Sequence, residues 1–490
     1  MIDFEPVRDR SHAPALTDQI VSAVVDAIRE QRLRPGMAVP SIRQFARTYG
    51  VSTFTVSAAY NRLVAQGVLT VRPGAAYRVA PPPRPATRPA VPAQWTPPDV
   101  GASWLLADVF ADHSIPIKSG CGWLPPEWLN GSGLSEALRQ MARTPIRQMG
   151  SYGHPWGYYP LREQLCGNLE TYGLNVTPEQ VLLTQGATQG LDVIIRTLFR
   201  PGDVLVTEVP AYANMLHMLR MAGITVLGVS RDEDGLRMDE LESLAREHRI
   251  KAVFVNTVLH NPTGTSLSMS NAFRLLQLAE RHDFWVIEDD VSRDLLPGAG
   301  PLLAAMAGTR RVVYVSGFSK SITPALRVGY VVADPDIASE FAQTKMATGL
   351  TSPEAMERTV YQVLRMGHHR KHVQRVQERL RESHDMLTDL MDRHGFEIFA
   401  RPRAGLFLWA RPPAGQGGTG MARTALKHGI WLAPGTYFYP QGHAGTDAGR
   451  DPRSAGVAQD ADPPWIRFNV AYSLHPDLWS FMSTLRAGDR

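Results

Sequence analysis

The chain has 490 residues, 44% of them apolar, a formal net charge of +4 and only two cysteines, Cys121 and Cys166. That length calls for two or three domains. Two cysteines exclude a disulfide framework or a metal-spaced cluster, no apolar run reaches the length of a membrane span, and no charged-then-apolar leader opens the sequence. The expectation is a cytoplasmic protein with neither metal nor membrane partner.

The charge is unevenly placed. Residues 31–80 hold seven arginines and no Asp or Glu, which leaves the remainder slightly acidic. A small module of one sign suggests a polyanionic partner. Leu16, Ile20, Val24, Ala27 and Ile28 recur at helical spacing, which predicts a first helix over about 13–31. Ser41 can cap a second helix that buries Ile42, Phe45 and Ala46 and ends at Gly50. Ser52 can cap a third, with Val56, Tyr60 and Leu63 inward and Thr53, Thr55, Ser57 and Arg62 outward. Residues 68–71 and 77–79 can pair as a hairpin across Arg72-Pro73-Gly74. The outward face of the third helix is short, polar and free of acid, which suits a major groove. From the residues alone, a small helical protein-interaction module remains open.

These stretches resemble the winged helix-turn-helix of GntR-type bacterial regulators. The resemblance rests on Pro35-Gly36, Val39-Pro40-Ser41-Ile42-Arg43, Phe45-Ala46, Tyr49-Gly50-Val51-Ser52, Thr55-Val56, Ala59-Tyr60 and the stretch 63–67. It implies a DNA-binding domain over 10–80, with contacts from Ser41, Arg43, Ser52, Thr53, Thr55, Arg62 and Arg72. Thr53 stands where that family often has arginine, and the wing reads Gly74-Ala75-Ala76 in place of Gly-Ser-Gly. Residues 81–98 then hold eight prolines with Arg84 and Arg88 among them, a semi-rigid spacer or a loose tether. The linker is taken as 81–103.

From about residue 104 to the end, helical segments alternate with short apolar strands, the pattern of an α/β domain with a mainly parallel sheet. Strands are expected at 180–184, 204–208, 252–256, 285–289 and 312–315. Ligands gather at the carboxyl ends of such strands. Gln185-Gly186-Ala187-Thr188 opens a helix whose first N–H groups can bind phosphate. Tyr212 follows the second strand and can stack on a ring. Asn261, before Pro262, can donate an amide bond. Asp289 closes the fourth strand and can face a pyridinium nitrogen. Lys320 follows the fifth strand, where burial lowers basicity and leaves an amine able to form a Schiff base with an aldehyde. Arg327, seven residues on, can hold a phosphate. Aldehyde plus phosphate suggests pyridoxal 5′-phosphate. Arg467, in an apolar strand near the C-terminus, can take a carboxylate or sit in a structural ion pair. Each residue alone has an ordinary structural explanation.

Together, Gly186, Ala187, Thr188, Tyr212, Asn261, Asp289, Lys320, Arg327 and Arg467 resemble, in order and type, the fold type I aminotransferases. The stretch from Tyr152 to Arg162 and the stretches 120–129 and 405–409 are similar too. The resemblance implies a pyridoxal-phosphate site at Lys320 with Ser319 beside it, and a homodimer in which Tyr152 reaches the partner's phosphate. Val291 and Ser292 replace a tyrosine that the family often carries there, and Gly317 replaces a hydroxyl residue. An aminotransferase-like body behind a GntR-type head resembles the MocR/GabR subfamily. That implies a regulator of operator DNA whose body senses a small amine or amino-acid effector by Schiff-base exchange at Lys320. A working aminotransferase with an appended DNA module is the alternative.

Overall fold

The computed structural model describes residues 2–7, 14–70, 76–81, 115–129, 131, 133–145, 147, 150–413, 418–440 and 463–487. Arg72, Gly74 and Ala75 of the expected wing, residues 82–103 of the linker and the Gly- and Asp-rich stretch 441–462 lie outside them. The chain divides into two compact units, Met1–Thr96 and Pro97–Arg490.

The first unit, the head, contains α1 (Leu16–Arg29), α2 (Ile42–Tyr49), α3 (Thr53–Ala65) and an antiparallel pair, β1 (Leu69–Thr70) with β2 (Arg78–Val79). Ser41 starts α2 by accepting from the Gln44 N–H, and Gly50 stops it in the left-handed conformation at φ 62°. Ser52 starts α3 by accepting from the Thr55 N–H at 3.0 Å. These caps satisfy N–H groups that the helices themselves leave unpaired. Ile20 and Val24 of α1, Phe45 of α2, Val56, Tyr60 and Leu63 of α3, and Leu69 and Val79 of the wing form one buried core. The core reaches further towards the N-terminus than the expected start at residue 10. Ile2 is buried, its carbonyl accepts from the Tyr49 hydroxyl at 2.6 Å, and Phe4 packs against Phe45. No helical periodicity marks so short a segment, so only the packing reveals it.

The second unit, the body, is built on an eight-stranded sheet. Its strands are β3 (Val181–Thr184), β4 (Val204–Val209), β5 (Thr225–Asp232), β6 (Gly235–Leu236), β7 (Ile250–Asn256), β8 (Trp285–Asp289), β9 (Val312–Gly317) and β10 (Gly329–Val332), in the order β3-β10-β9-β8-β7-β4-β5-β6. The central run from β9 to β5 is parallel, whereas β10 is antiparallel to both of its neighbours and β6 is antiparallel to β5. Strands β3, β9 and β10 are buried along nearly their whole length, which is why they read as unbroken apolar runs. The strand β5 has a mixed pattern of half-buried and exposed positions and escaped the sequence reading.

A smaller sheet follows: β11 (Glu397–Ile398), β12 (Phe407–Arg411), β13 (Ala433–Pro434) and β14 (Ile466–Asn469), antiparallel throughout in the order β11-β12-β14-β13. The body is thus α/β, with a mixed, mostly parallel large sheet and a small C-terminal antiparallel one. Among the described residues no helix is long and apolar enough to cross a membrane, and no cluster of three or more metal-type ligands occurs.

Candidate functional site

The carboxyl ends of β4, β7, β8 and β9 lie side by side, with Glu208 next to the end of β4, Asn256 and Asp289 ending β7 and β8, and Lys320 in the loop after β9. Neighbouring parallel strands set the register Asn256↔Asp289 and Asp289↔Val315.

The acidic run Glu288-Asp289-Asp290 separates into three roles. Glu288 is buried and accepts from the Thr257 hydroxyl and from the N–H groups of Leu303 and Ala304, each at 2.9 Å, so it seats the helix Leu303–Ala307. Asp290 pairs with Arg293 on the same side, and Arg293 also donates to the Pro301 carbonyl at 2.6 Å. Alternation along the strand turns Asp289 the other way. Its Oδ1 accepts the Val291 N–H at 3.3 Å, and no arginine pairs with it among the described residues. Burial pushes its carboxyl up to about 6, while the Val291 N–H, Asn256 and Lys320 pull it down.

Lys320 is half-buried, and its Nζ donates to the Gly122 carbonyl. Burial first, then the positive charge of Arg467, pushes the amine down to about 8, against the opposing pull of Cys121 and Asp289. At that value roughly a tenth of the lysine is neutral amine at pH 7, far more than for an ordinary lysine, and that is the form that attacks a carbonyl. Arg327 is exposed, sits at φ 51°, and donates to the Gln185 carbonyl at 3.4 Å. Its guanidinium occupies the space a Cβ on Gly186 would take, at the start of the helix Gly186–Leu198. A Cβ there would displace the guanidinium, and the φ of 74° at Gly186 separately favours glycine. The result is an arginine and a helix N-terminus on one spot, a site suited to a phosphate. Ala187 is half-buried there and Thr188 exposed.

Arg467 lies in β14 opposite Trp409 and is 7% exposed. Its Nη1 donates to Asn261 Oδ1 at 2.7 Å and its Nη2 to the Gly120 carbonyl at 2.6 Å. Phe407 and Phe438 flank it, their ring centres 4.6 and 4.9 Å from its central carbon. The Nε is buried with no partner, and no carboxylate pairs with this arginine among the described residues. Burial lowers it to about 10. A desolvated guanidinium held only by neutral acceptors is set for an anion. Tyr212 stands at the N-cap position of the helix Ala213–Met221, and burial, then Asp289, pushes its hydroxyl up to about 12. The charges of Arg467 and Arg327 also act on Tyr212, and those of Asp289, Arg467 and Arg327 act on Lys320. Lys320, Asp289, Tyr212, Arg327, Asn261 and Arg467 therefore converge on one place.

Other expected residues stand elsewhere. Tyr152 is 83% exposed. Ser319 is half-buried beside Lys320, and the neighbouring Ser316 donates to the Asp290 carbonyl at 3.0 Å. In the head, Arg43 and Thr53 are exposed, Ser41 and Ser52 are committed to their caps, and the Thr55 hydroxyl lies 2.7 Å from Ser52 Oγ. Arg62 reaches Asp18 of α1 at 2.5 Å, so its charge is met within the head.

The sequence reading missed a buried ring behind the site. Glu208 pairs with Arg231, whose Nε donates to Thr265 Oγ1 at 2.8 Å. Thr265 meets Thr263 at 2.9 Å, Thr263 meets His260 Nδ1 at 2.8 Å, and His260 Nε2 lies 3.3 Å from Glu208 Oε2. Burial pushes Glu208 up, but Arg231 and His260 outweigh it and hold the carboxyl below its usual range. His260 is pushed down to about 4, chiefly by burial, and stays neutral. The ring braces the loop that carries Asn261. Cys121 was also missed. It is buried beside Lys320 and Arg467, accepts from Asn469 Nδ2 at 3.3 Å, and burial raises its thiol to about 12. Its only signal in the sequence is its place in the stretch 120–129.

Residues 130–471 match the family of class I and II aminotransferases, and residues 16–79 match the bacterial regulatory proteins of the gntR family. The 2-aminoadipate transaminase of Thermus thermophilus is 30% identical over 66% of this chain and 83% of that protein. The probable rhizopine catabolism regulatory protein MocR of Rhizobium meliloti is 28% identical over 79% of each chain. Among solved structures, the α-aminoadipate aminotransferase LysN of Thermus thermophilus, complexed with N-(5′-phosphopyridoxyl)-L-leucine, superposes with a TM-score of 0.67. It is 26% identical over 77% of this chain and 95% of its own.

Proposed function

We propose, on the premise that this chain belongs to the class I and II aminotransferase family and carries a GntR-type head, that it is a transcriptional regulator that binds operator DNA and senses a small amine or amino acid through pyridoxal phosphate at Lys320. The observation that carries this reading is the convergence of a Lys320 of lowered basicity, an Asp289 with no arginine partner and a buried Arg467 with no carboxylate partner among the described residues, on the same chain as a head segment, residues 31–80, with seven arginines and no acid.

The donor set fits the cofactor. Arg327, fitted against Gly186, is the fit's main support, together with the orphaned Nε of Arg467. Gly186, Ala187, Thr188, Ser319 and Arg327 would hold the phosphate, Tyr212 the ring face, Asn261 the ring oxygen, Asp289 the ring nitrogen and Lys320 the aldehyde carbon. Tyr152, exposed in one protomer, would complete the phosphate site of a partner in a homodimer. When bound, the cofactor supplies an aldehyde and an electron-withdrawing ring. Lys320 contributes an amine kept partly neutral by burial. Asp289 contributes a carboxylate with no cation of its own to satisfy. Arg467 contributes two donors to an effector carboxylate, which must compete with Asn261 and the Gly120 carbonyl. Effector occupancy thereby bears on the two segments that hold Arg467. It can change DNA affinity only by its differential affinity for two body states, typically about 1–3 kcal/mol.

Borohydride trapping with pyridoxal phosphate, followed by peptide mapping, should mark Lys320. An adduct that persists in Lys320→Ala would overturn the assignment. Lys320→Ala and Arg467→Ala should keep basal DNA binding and lose the effector response, and operator DNA should shift effector affinity by the same factor that effector shifts DNA affinity. A working transaminase is the second reading, favoured by the joint presence of Lys320, Asp289 and Arg467 and by the likeness to a 2-aminoadipate transaminase. Sustained turnover of an amino donor with a 2-oxo acid would establish it.

A further inference from the structure

The head has six described aromatic rings, and five of them form one packed train. Phe4 meets Phe45 and Tyr49 with ring centres 5.6 and 5.4 Å apart, Phe45 meets Tyr49 and Tyr60 at 4.6 and 6.0 Å, and Tyr60 meets Tyr77 at 5.1 Å. The sixth, Phe54, makes no ring contact among the described residues and is 83% exposed. It is the second residue of α3, a helix whose Val56, Ala59, Tyr60 and Leu63 are all fully buried. The Ser52 cap, bonded to Thr55, fixes the first turn, so the ring projects from a rigid base. Next to it and one turn on stand only small side chains, Thr53, Ser57 and Ala58, which leave the ring open to a deep contact.

The surroundings select the occupant. The segment 31–80 has seven arginines and no acid, so charge complementarity calls for a polyanion. Duplex DNA is a polyanion that also presents a discrete apolar group, the thymine C5-methyl, on the floor of its major groove. The first residues of a recognition helix are the ones that reach base edges. A polar side chain at this position would read a donor or acceptor; an aromatic one has neither and reads the methyl.

We propose that Phe54 contacts a thymine C5-methyl in the major groove and is a specificity-determining residue of the head. The proposal rests on the DNA-binding reading above.

The test uses the full-length chain. It first enriches binding sites from duplexes with a randomised core, then replaces each thymine of the enriched duplex, one at a time, by deoxyuridine, which removes only the methyl. At one position in each half-site, wild-type binding should fall about fourfold, the effect of one buried methyl group. Phe54→Ala should bind the thymine and uracil duplexes alike, and Phe54→Leu should retain part of the difference. The slope of log affinity against log salt should match wild type in Phe54→Ala, because no phosphate contact is lost. The exposure of Phe54 means that both variants should melt with wild type. Deoxyuridine without effect at every position, or a thymine preference that survives intact in Phe54→Ala, overturns the proposal while leaving DNA binding standing. No enrichment of any duplex by the wild-type chain overturns both readings together.

Discussion

Arg62 and Asp18 of the head pair with side chains 52% and 44% exposed, whereas Arg231 and Glu208 of the body pair at 0% and 1%. The same two chemical groups thus meet in two dielectric settings. At the surface an ion pair is screened, contributes little, and leaves the arginine able to exchange its partner for a phosphate. In the interior neither charge can be left alone, so the pair, together with His260, Thr263 and Thr265, holds one loop in one place. The head leaves Arg43, Thr53 and Phe54 exposed at the starts of two capped helices. The body buries Asp289 at a strand end and Arg467 within a strand, and burial is the largest cause that moves Lys320 down and Asp289 up.

The largest test of this contrast is Glu208→Ala, which strands Arg231 without a counter-charge. It should destabilise the body by about 3–5 kcal/mol, read from denaturant unfolding. A loss below about 1 kcal/mol would mean that the ring does not brace the site. Next, Asp289→Ala should weaken pyridoxal phosphate binding by about 1.5–3 kcal/mol, roughly ten- to hundredfold, in an absorbance titration of the apo protein. Unchanged affinity would remove Asp289 from the cofactor site.

The shift of Lys320 sets a pH dependence. Its amine is mostly protonated below about 8, so the initial rate of cofactor capture should rise roughly tenfold per pH unit up to that value and level off above it. The unfolded lysine keeps its proton up to about 10.5, so the unfolded state binds more protons in the window between the two values. The stability contribution of Lys320 should therefore increase, not decrease, as pH rises through that window. A capture rate that goes on rising tenfold per unit from about pH 8 to 10 would contradict the shift.

Two smaller effects belong to the head. Arg43→Ala should reduce the magnitude of the DNA salt slope by about 0.9, the value of one phosphate contact. An unchanged slope would take Arg43 off the backbone. Arg62→Ala should cost the isolated fold only about 0–1 kcal/mol. A larger loss would show that the surface pair behaves like the buried one.

Much of this architecture was legible in the chain. The spacing of Val56, Tyr60 and Leu63 marked the inner face of α3, and Ser41 and Ser52 marked two helix starts, because caps and helical periodicity are local properties. The strand Trp285–Asp289 fell where expected, since the apolar run Phe284 to Ile287 leads into it and marks a strand buried on both faces. Lys320, Asp289 and Arg467 could be singled out as chemical types in the right kind of place. Three facts needed the folded chain. Ile2 and Phe4 joined the head's core without any pattern of their own. The acidic triplet divided its roles only once Thr257, Leu303 and Arg293 had been brought to Glu288 and Asp290. The ring behind Asn261 formed from residues on β4, β5 and the loop after β7.

What the sequence determined by itself is thus what depends on neighbours a few positions away: helix faces, caps, strand runs, and an arginine-rich stretch with no acid. What the tertiary structure decided is which charges lose water and what they meet when they do. Arg467 finds Gly120 and Asn261 from 347 and 206 positions away, and its buried, unpartnered Nε belongs to a guanidinium flanked by Phe407 and Phe438. Desolvation is a property of everything packed around a group, and no local pattern encodes it.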